Sequence, residues 1–404
     1  MKRLDCSVQN YGWGKSASES VVAKLRKIDT TSKNGSKPYA ELWMGTHPNG
    51  PSKICGENMT LSDYIKMNPE VMGDHEMNGL QYLFKVLSVG KALSVQAHPT
   101  KKQAEILNSK DPNNYPDDNH KPEIAIALTR FEVLCGFRVH HEIISNFKAH
   151  RELLDLVNEE HLGKLAIEHS DNDNQEALKA IFSSIWKAPQ SKISKVVDDI
   201  IARISKYENR PDVEELMIRL NTQYPGGDVG VLAPLFLNHF SLKPGQAAFL
   251  APNEPHAYLS GDCVECMACS DNTIRAGLTP KFKDVETLCE NLTYKMTPPP
   301  YFKPDTSRTG IIEYAPPVEE FAVQRIDNNA QELDTLQASS ILITIEGSAS
   351  VEFTYKKTTE TIELVSGDAW FVPCGSELQI NKSTNNFLAF RAFTPMKDLR
   401  LSSE

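Results

Sequence analysis

Strand-like and helix-like patterns of apolar residues occupy different stretches of this chain. From Met1 to about Val139, short alternating runs such as YAELWMG are separated by turn clusters such as THPNGPSK, which predicts a β-rich first part. In YLFKVLSVGKALSVQAHPT two such runs flank Gly90. Two peripheral helices are expected there. One has Ser62 as its cap ahead of DYIKM and stops before Pro69, and the other covers KKQAEILN before the turn-rich DPNNYPDD. Between about His140 and Thr222 the period becomes that of amphipathic helices, in HEIISNFKAHRELLDLV, NQEALKAIFSSIWKA, KISKVVDDIIARISKY and DVEELMIRLNTQY. A helical block is therefore inserted into a β-rich chain.

The turn cluster YPGGD closes that block, and strands are expected again at GQAAFLAP, HAYLSG and DCVECMACSD. Thr279 and Pro280 suit the cap and first position of a helix through KFKDVETLCENL, and TPPPYFKP reads as a stiff connector. A last β segment, 310–404, contains VQRI, SSILITIEG, SVEFTY, ELVSGDAWFVP and FLAFRAF. Within these strands GQAAFLAPNEPHAY is echoed by GDAWFVPCGSELQI, each a glycine turn, an aromatic strand and a proline-bounded loop. Such units resemble those of the cupin superfamily, whose double-stranded β-helix, or jelly-roll, barrels open on a mouth suited to metals and small ligands. Gly367, Pro373 and Gly375 match the second cupin signature, but Leu378 stands at its histidine position. The expected fold is α+β, mainly β, with two cupin barrels. A catalytic one is made of 1–139 and, with a connector, 223–309; a helical domain is inserted at 140–222; the barrel at 310–404 is degenerate and lacks its metal ligand.

Composition narrows the function. At 404 residues the chain exceeds what one hydrophobic core fills, and 40 % hydrophobic with 24 % charged residues suits folded domains rather than disorder. A net charge of −10 without a Lys/Arg block disfavours nucleic acid. The start, MKRLDCSVQN, has no apolar core, and VGVLAPLFL, IAIAL and ILITI are too short for a bilayer, so neither export nor membrane insertion is expected. Eight unevenly spaced cysteines suit a reducing, cytoplasmic setting. An anionic small substrate would need a local cluster of cations against this acidic background.

Three segments carry candidate chemistry. In LSVQAHP an extended backbone puts Ser94, Gln96 and His98 on one face and Leu93, Val95 and Ala97 on the other, so that a glutamine and a histidine offer neutral donor atoms side by side. In NHKPEIAIAL the same period pairs Lys121 with Glu123, immediately before an apolar run that reads as a buried strand. A carboxylate buried there without a partner is costly, which points to a cation or a metal beside it. APNEPHAY adds His256 at the start of a strand that also points Tyr258 the same way. Gln96, His98, Glu123 and His256 form a nitrogen and oxygen set without sulfur, suited to zinc with a free position for water or a substrate oxygen.

In this order QAHP, HKPE, NEPHAY and SDNTIRAGLTPKF, together with YGWG, ELWMGTHP and LFKVLS, closely resemble type I phosphomannose isomerase, a family of cupins. The resemblance extends over most of the chain. It implies one zinc ion held by Gln96, His98, Glu123 and His256, a catalytic Arg275, and reversible isomerisation of mannose 6-phosphate and fructose 6-phosphate that feeds mannosylation through GDP-mannose. An aldose-to-ketose conversion through an enediol needs a Lewis acid and a positioned base. Arg275, always charged, suits an enediolate or phosphate rather than the role of base. Lys121 and Lys85 are candidates for proton transfer or phosphate contact if neighbouring cations depress their pKa. Ser94, Tyr258, Asp271, Trp13 and Glu41 are expected to line the sugar pocket, and Lys281, near the start of the expected helix, to join Arg275 on the phosphate. The expected partner is a small sugar phosphate and the expected state a monomer.

No nucleotide-binding glycine loop is present. Cys263, Cys266 and Cys269 have metal-like spacing, but alternation turns Cys266 away from the other two, which makes them buried thiols. His140 and His141 diverge around a helix and are expected at the surface. Two other readings fit part of the pattern. A metal-dependent cupin oxygenase with iron leaves Gln96 and Arg275 without a role, and a non-catalytic sugar-binding cupin would bind without turnover.

Overall fold

The computed structural model describes residues 1–166 and 171–396. One strand organises the half of the molecule that carries the candidate residues. His256–Ala268 runs for 13 residues as one strand through HAYLSG and most of DCVECMACSD, which the apolar pattern reads as separate strands. Its first part pairs with Phe131–Phe137 and, at His256, with Gln96; its last part, from Gly261, lies between Tyr82–Val89 and Glu123–Ala127. Gly261 makes the change of partners possible. It has φ +112°, and a Cβ there would stand 2.3 Å from the Arg130 carbonyl oxygen, so only glycine carries the bend. A register shift opposite Ser260 and Tyr258 marks a bulge at the same corner.

Further strands extend this sheet. Tyr82–Val89 pairs with Glu41–Met44, and Ala247–Leu250 with Glu123–Ala127. The expected stiff connector also contributes, because Tyr301–Phe302 adds to the edge of Ala247–Leu250. Val95–Ala97 lies between His256 and the strand Ile274–Gly277, its Val95 and Ala97 buried against the helical block.

The helical block contains His140–Ala149, Glu159–Ala166, Asp171–Trp186, Gln190–Ile204 and Asp212–Gln223. Ile193, Val196, Val197, Ile200 and Ile204 recur at the spacing of one helix face and are buried, which accounts for the fourth of these helices. Phe182 stacks on Trp186 with ring centroids 3.8 Å apart, and Phe137 and Phe236 meet Phe182 edge-on, tying the block to the β part. Among the described residues no helix is long and apolar enough to cross a membrane.

The last β segment forms an antiparallel sheet containing Ile311–Tyr314, Ala322–Asp327, Leu388–Phe393, Ser340–Glu346 and Ala369–Val372, facing a second sheet of Glu377–Ser383, Ser348–Tyr355 and Thr358–Val365. Leu342, Val351, Phe353, Leu378 and Ala389 pack between them. Lys2–Asp5 joins the first of these sheets through Ala369–Val372, and Lys53–Ile54 pairs with Lys2–Asp5 in turn, so the start of the chain is built into its last part. The two halves share an apolar core in which Tyr82, Phe84 and Val264 meet Ile341, Phe371 and Phe390.

Two helix starts differ from expectation. Thr60, not Ser62, caps Leu61–Met67, its side chain accepting from the Asp63 amide at 3.1 Å. Thr279 and Pro280 do not open a helix. Thr279 Oγ1 accepts from the Lys281 amide in a local turn, while Asp284, accepting from the Thr287 amide at 3.0 Å, caps Val285–Asn291.

Candidate metal centre and active site

Three strands place a cross-strand row. Gln96 lies directly opposite His256 on one side and Arg275 on the other, because Val95–Ala97 pairs with both neighbours. Glu123, first residue of its strand, comes in from the adjoining sheet opposite Met267. His98, Glu123 and His256 are all buried, and their ligating atoms lie within 4.8 Å of one another. The Glu123 carboxylate stands 3.5 Å from His98 Nε2 and 3.8 Å from His256 Nε2.

Hydrogen bonds on the far side of each ring fix which nitrogen faces the cluster. His98 Nδ1 lies 2.8 Å from the Asn272 carbonyl oxygen, and His256 Nδ1 lies 2.9 Å from that of Glu254. A carbonyl only accepts, so both Nδ1 atoms carry the hydrogen and both Nε2 lone pairs point toward Glu123. Burial lowers the proton affinity of both rings, and the nearby His98 helps bring His256 down to about 4, so both are neutral at pH 7. Burial opposes ionisation of Glu123, but Lys121, at 3.2 Å, pulls its pKa well below the usual carboxylate range. Two neutral imidazoles and an ionised carboxylate are the forms that bind a divalent metal. His98 Nε2, fully buried, has no hydrogen-bond partner, which is costly for a structural histidine and fits a metal ligand. Gln96 Oε1 accepts from Ser94 Oγ at 2.9 Å, and its Nε2 lies 3.4 Å from His256 Nε2. Turning the amide over presents Oε1 to the cluster and lets Nε2 donate to the same hydroxyl, so Ser94 supports the ligating orientation equally well.

Of this group, Glu123 and Gln96 reach a cavity of about 580 Å³. Gln96, Glu123, Lys121, Lys85, Ser94, Tyr258, Arg275, Asp271, Trp13, Glu41 and Lys281 all line it, whereas His98 and His256 are buried against Glu123 and do not themselves line it. Among the described residues no carboxylate forms an ion pair with Arg275 or Lys281, which leaves two cations facing the cavity of an acidic protein. Lys281 does so from an exposed loop, not from a helix N-terminus, so the expected helix contribution to anion binding is absent.

Lys85 also departs from expectation. It is buried between Glu265 at 3.0 Å and Glu41 at 3.4 Å, and although burial alone would lower its pKa, those carboxylates and Glu123 raise it. The expected depression required cations nearby, and the nearest charges are anions. Trp43 Nε1 donates to Glu41 at 2.5 Å, and Lys85 Nζ lies 5.3 Å from the Trp43 ring, so Glu41, Trp43 and Lys85 make one connected wall. Asp271 meets His47 Nε2 at 3.4 Å and accepts from Asn49 at 3.1 Å; the His47 hydrogen bond lowers its pKa.

Glu265 was missed by the sequence pattern. It lines the cavity, and burial raises its pKa against the opposing charge of Lys85. Counting every second residue from Tyr258 puts Glu265 on the outer face, but the bulge beside Gly261 shifts the phase, so that Glu265 and Met267 face inward. A lone carboxylate in CVECMAC was the available signal, as it was for Glu123 in PEIAIAL. Cys266 turns away from Cys263 as expected, but Cys269 does not share the surroundings of Cys263. Cys263 and Cys266 are buried in different cores, and Cys269 is half-buried against a third. His141 is exposed and His140 half-buried.

A family model for the phosphomannose isomerase type I catalytic domain matches residues 1–140, and one for the helical insertion domain of the same family matches 153–237. A probable mannose-6-phosphate isomerase of Caenorhabditis elegans is 44 % identical over 97 % of this chain and 95 % of its own length. The mannose-6-phosphate isomerase of Homo sapiens is 42 % identical over 96 % of this chain and 97 % of its own. The chain is also similar to a crystal structure of mannose 6-phosphate isomerase bound with zinc and yttrium, with a TM-score of 0.83 and 29 % identity, covering 98 % of this chain and 100 % of that one. The apo form from Salmonella typhimurium gives 0.82, 29 %, 98 % and 99 % for the same quantities.

Proposed function

The chain belongs to the type I phosphomannose isomerase family, and from that premise we propose that it is a zinc-dependent aldose-ketose isomerase converting mannose 6-phosphate and fructose 6-phosphate into one another. The observation that carries this reading is the convergence of two neutral Nε2 atoms on the Glu123 carboxylate, which itself lines a cavity that Arg275 also lines. Gln96, His98, Glu123 and His256 would hold the metal, which when bound supplies a Lewis acid for the oxygens on the two sugar carbons that exchange oxidation state.

The chain's own residues account for the remaining requirements. Arg275 keeps its charge at any working pH, and its fork of donors suits an enediolate oxygen or the phosphate, with Lys281 adding a second cation on that side. Lys85, held protonated between carboxylates, donates rather than accepts protons. Glu265, with its pKa raised by burial, is the group we assign to moving the proton between adjacent carbons. Lys121, ion-paired to Glu123, keeps that carboxylate ionised and places positive charge near the substrate. Ser94, Tyr258, Asp271, Trp13 and Glu41 contact the sugar in this reading, Trp13 through its ring face.

We read the fold as two cupin barrels. The first is catalytic, made of 1–139 and 223–309 with 140–222 inserted, and the second is the degenerate 310–404, to which Lys2–Asp5 is lent; the repeated glycine-strand-loop unit supports this division. A cytoplasmic enzyme supplying mannose 6-phosphate for GDP-mannose fits eight free cysteines.

A coupled assay on mannose 6-phosphate tests the assignment. Activity is expected to vanish on chelation and return with zinc, and Arg275→Ala to retain zinc while kcat falls by about 10²-fold or more, the scale for losing one charge-stabilising donor. Turnover indifferent to chelation would exclude the metal from the reaction.

A further inference from the structure

The turn-rich PDDN that precedes Lys121 and Glu123 has no role in the assignment above, yet its first aspartate makes an unusually complete set of contacts. Asp117 Oδ1 accepts from Ser270 Oγ at 2.7 Å, from Asn272 Nδ2 at 3.1 Å and from the Asn119 amide at 3.0 Å. Its Oδ2 accepts from the Asp271 amide at 2.7 Å, and its backbone carbonyl accepts from Asn272 Nδ2, also at 2.7 Å. Among the described residues no cation forms an ion pair with it. Apart from the nearby Asn119 amide, the carboxylate's partners are three consecutive residues of one loop, 270–272.

That loop leads directly to the site. Asn272 is fully buried, and its backbone carbonyl accepts the hydrogen on His98 Nδ1 at 2.8 Å. Asp271 lines the cavity, and Arg275 follows four residues later. Asn272 Nδ2 also donates to the Asn119 carbonyl at 2.9 Å, and Asn119 Nδ2 to that of Cys269 at 2.9 Å, so the segment carrying Lys121 is joined to the same loop.

Resting on the metal centre assigned above, we propose that Asp117 is a positioning residue for it, holding the loop 270–272 so that the Asn272 carbonyl fixes the tautomer and orientation of His98. A carboxylate, an asparagine and an imidazole then form a chain that ends at the metal position. Charge-assisted hydrogen bonds to the loop make its carbonyl a stationary acceptor, and a fixed Nδ1 hydrogen keeps the Nε2 lone pair aimed at the cluster.

The test measures zinc affinity by competition with a chromogenic chelator, together with circular dichroism and thermal melting of the metal-free proteins. The proteins are wild type, Asp117→Ala, Asp117→Asn, Ser270→Ala and Asp118→Asn. Asp118 is the exposed neighbour that pairs with Lys101 and serves as control. Asp117→Ala is expected to weaken zinc binding by about 10- to 100-fold, the range for losing a group that supports a metal-bound histidine. Asp117→Asn, which sets an NH₂ against the Asp271 amide, and Ser270→Ala fall between it and wild type, and Asp118→Asn matches wild type. Should Asp117→Ala fail to fold by circular dichroism, the asparagine and Ser270→Ala variants decide. Folded variants that all bind zinc as tightly as wild type overturn the proposal, even where their melting temperatures fall. A wild type that binds no zinc overturns the metal centre itself, which is a separate result.

Discussion

Two stretches of the chain share a backbone plan and differ in what they bury. Gly245, with φ +83°, leads into the strand Ala247–Leu250, a proline-bounded loop and then His256. Gly367, with φ +92°, leads into Ala369–Val372, another such loop and then Leu378. The histidine and the leucine each come 11 residues after their glycine and are almost equally buried, at 1 % and 2 % exposed. Around His256 stand a carboxylate, an amide and a second imidazole; around Leu378 stand Val351, Phe353 and Leu342. Turn and strand therefore set where the side chain points, and the residues arriving from other strands decide whether that position binds a metal or fills a core.

The largest effect comes from exchanging the two residues. His256→Leu is expected to abolish zinc binding and reduce turnover by at least about 10³-fold, because the remaining ligands do not close a site. Leu378→His gains no zinc and destabilises by about 1–3 kcal/mol, the cost of a buried polar group without partners. Zinc content by elemental analysis and thermal melting distinguish the two. A Leu378→His protein that took up a second zinc would show that the position alone makes the site.

A smaller difference concerns acid. In the metal-free protein burial lowers the pKa of His98, and that of His256 to about 4, whereas an unfolded chain protonates histidine near 6.5. Between these values the unfolded state binds more protons, so the stabilising contribution is full above about pH 6.5 and is lost as pH falls toward about 4. Leu378 has no such term. Melting temperatures of the chelator-treated protein at pH 7.5 and pH 5 should fall more steeply for wild type than for His256→Leu. Equal slopes would mean that His256 is not held neutral.

The contrast also marks how far the residues could be read in advance. Helices 140–222 followed from apolar spacing alone, since positions such as Ile193, Val197, Ile200 and Ile204 need only local periodicity to declare a face. His98, in an alternating strand, and His256, after a proline-bounded loop, gained weight only as members of one ligand set, whereas Glu123 was legible as a carboxylate at the head of an apolar run. Glu265 was not, since its direction depends on a bulge set by Phe131–Phe137 across the sheet, a contact between residues distant in sequence. Lys85 was placed in the site but given the wrong charge environment, because Glu41 and Glu265 reach it from neighbouring strands. The role of Lys2–Asp5 as partner of Ala369–Val372 was likewise invisible to local pattern.

The smallest effect separates the two glycines themselves. Both have left-handed φ, so an alanine at either position pays the strain of an L-residue there, about 1 kcal/mol or somewhat more. Their surroundings differ. A Cβ on Gly245 would meet nothing nearer than Arg325 Nε at 3.9 Å, whereas one on Gly367 would stand 2.1 Å from the Leu25 carbonyl oxygen at the end of the helix Val21–Leu25. That oxygen belongs to backbone and cannot swing aside as a long side chain would, so Gly367→Ala must shift the helix or the strand Ala369–Val372. Gly245→Ala should therefore lower the melting temperature by a few degrees with turnover close to wild type. Gly367→Ala should lower it clearly more, although it lies in the half without the metal ligands. Should Gly245→Ala prove the more damaging of the two, the turn before Ala247–Leu250 carries a constraint that steric room does not explain, and the likeness of the two units ends at their glycines.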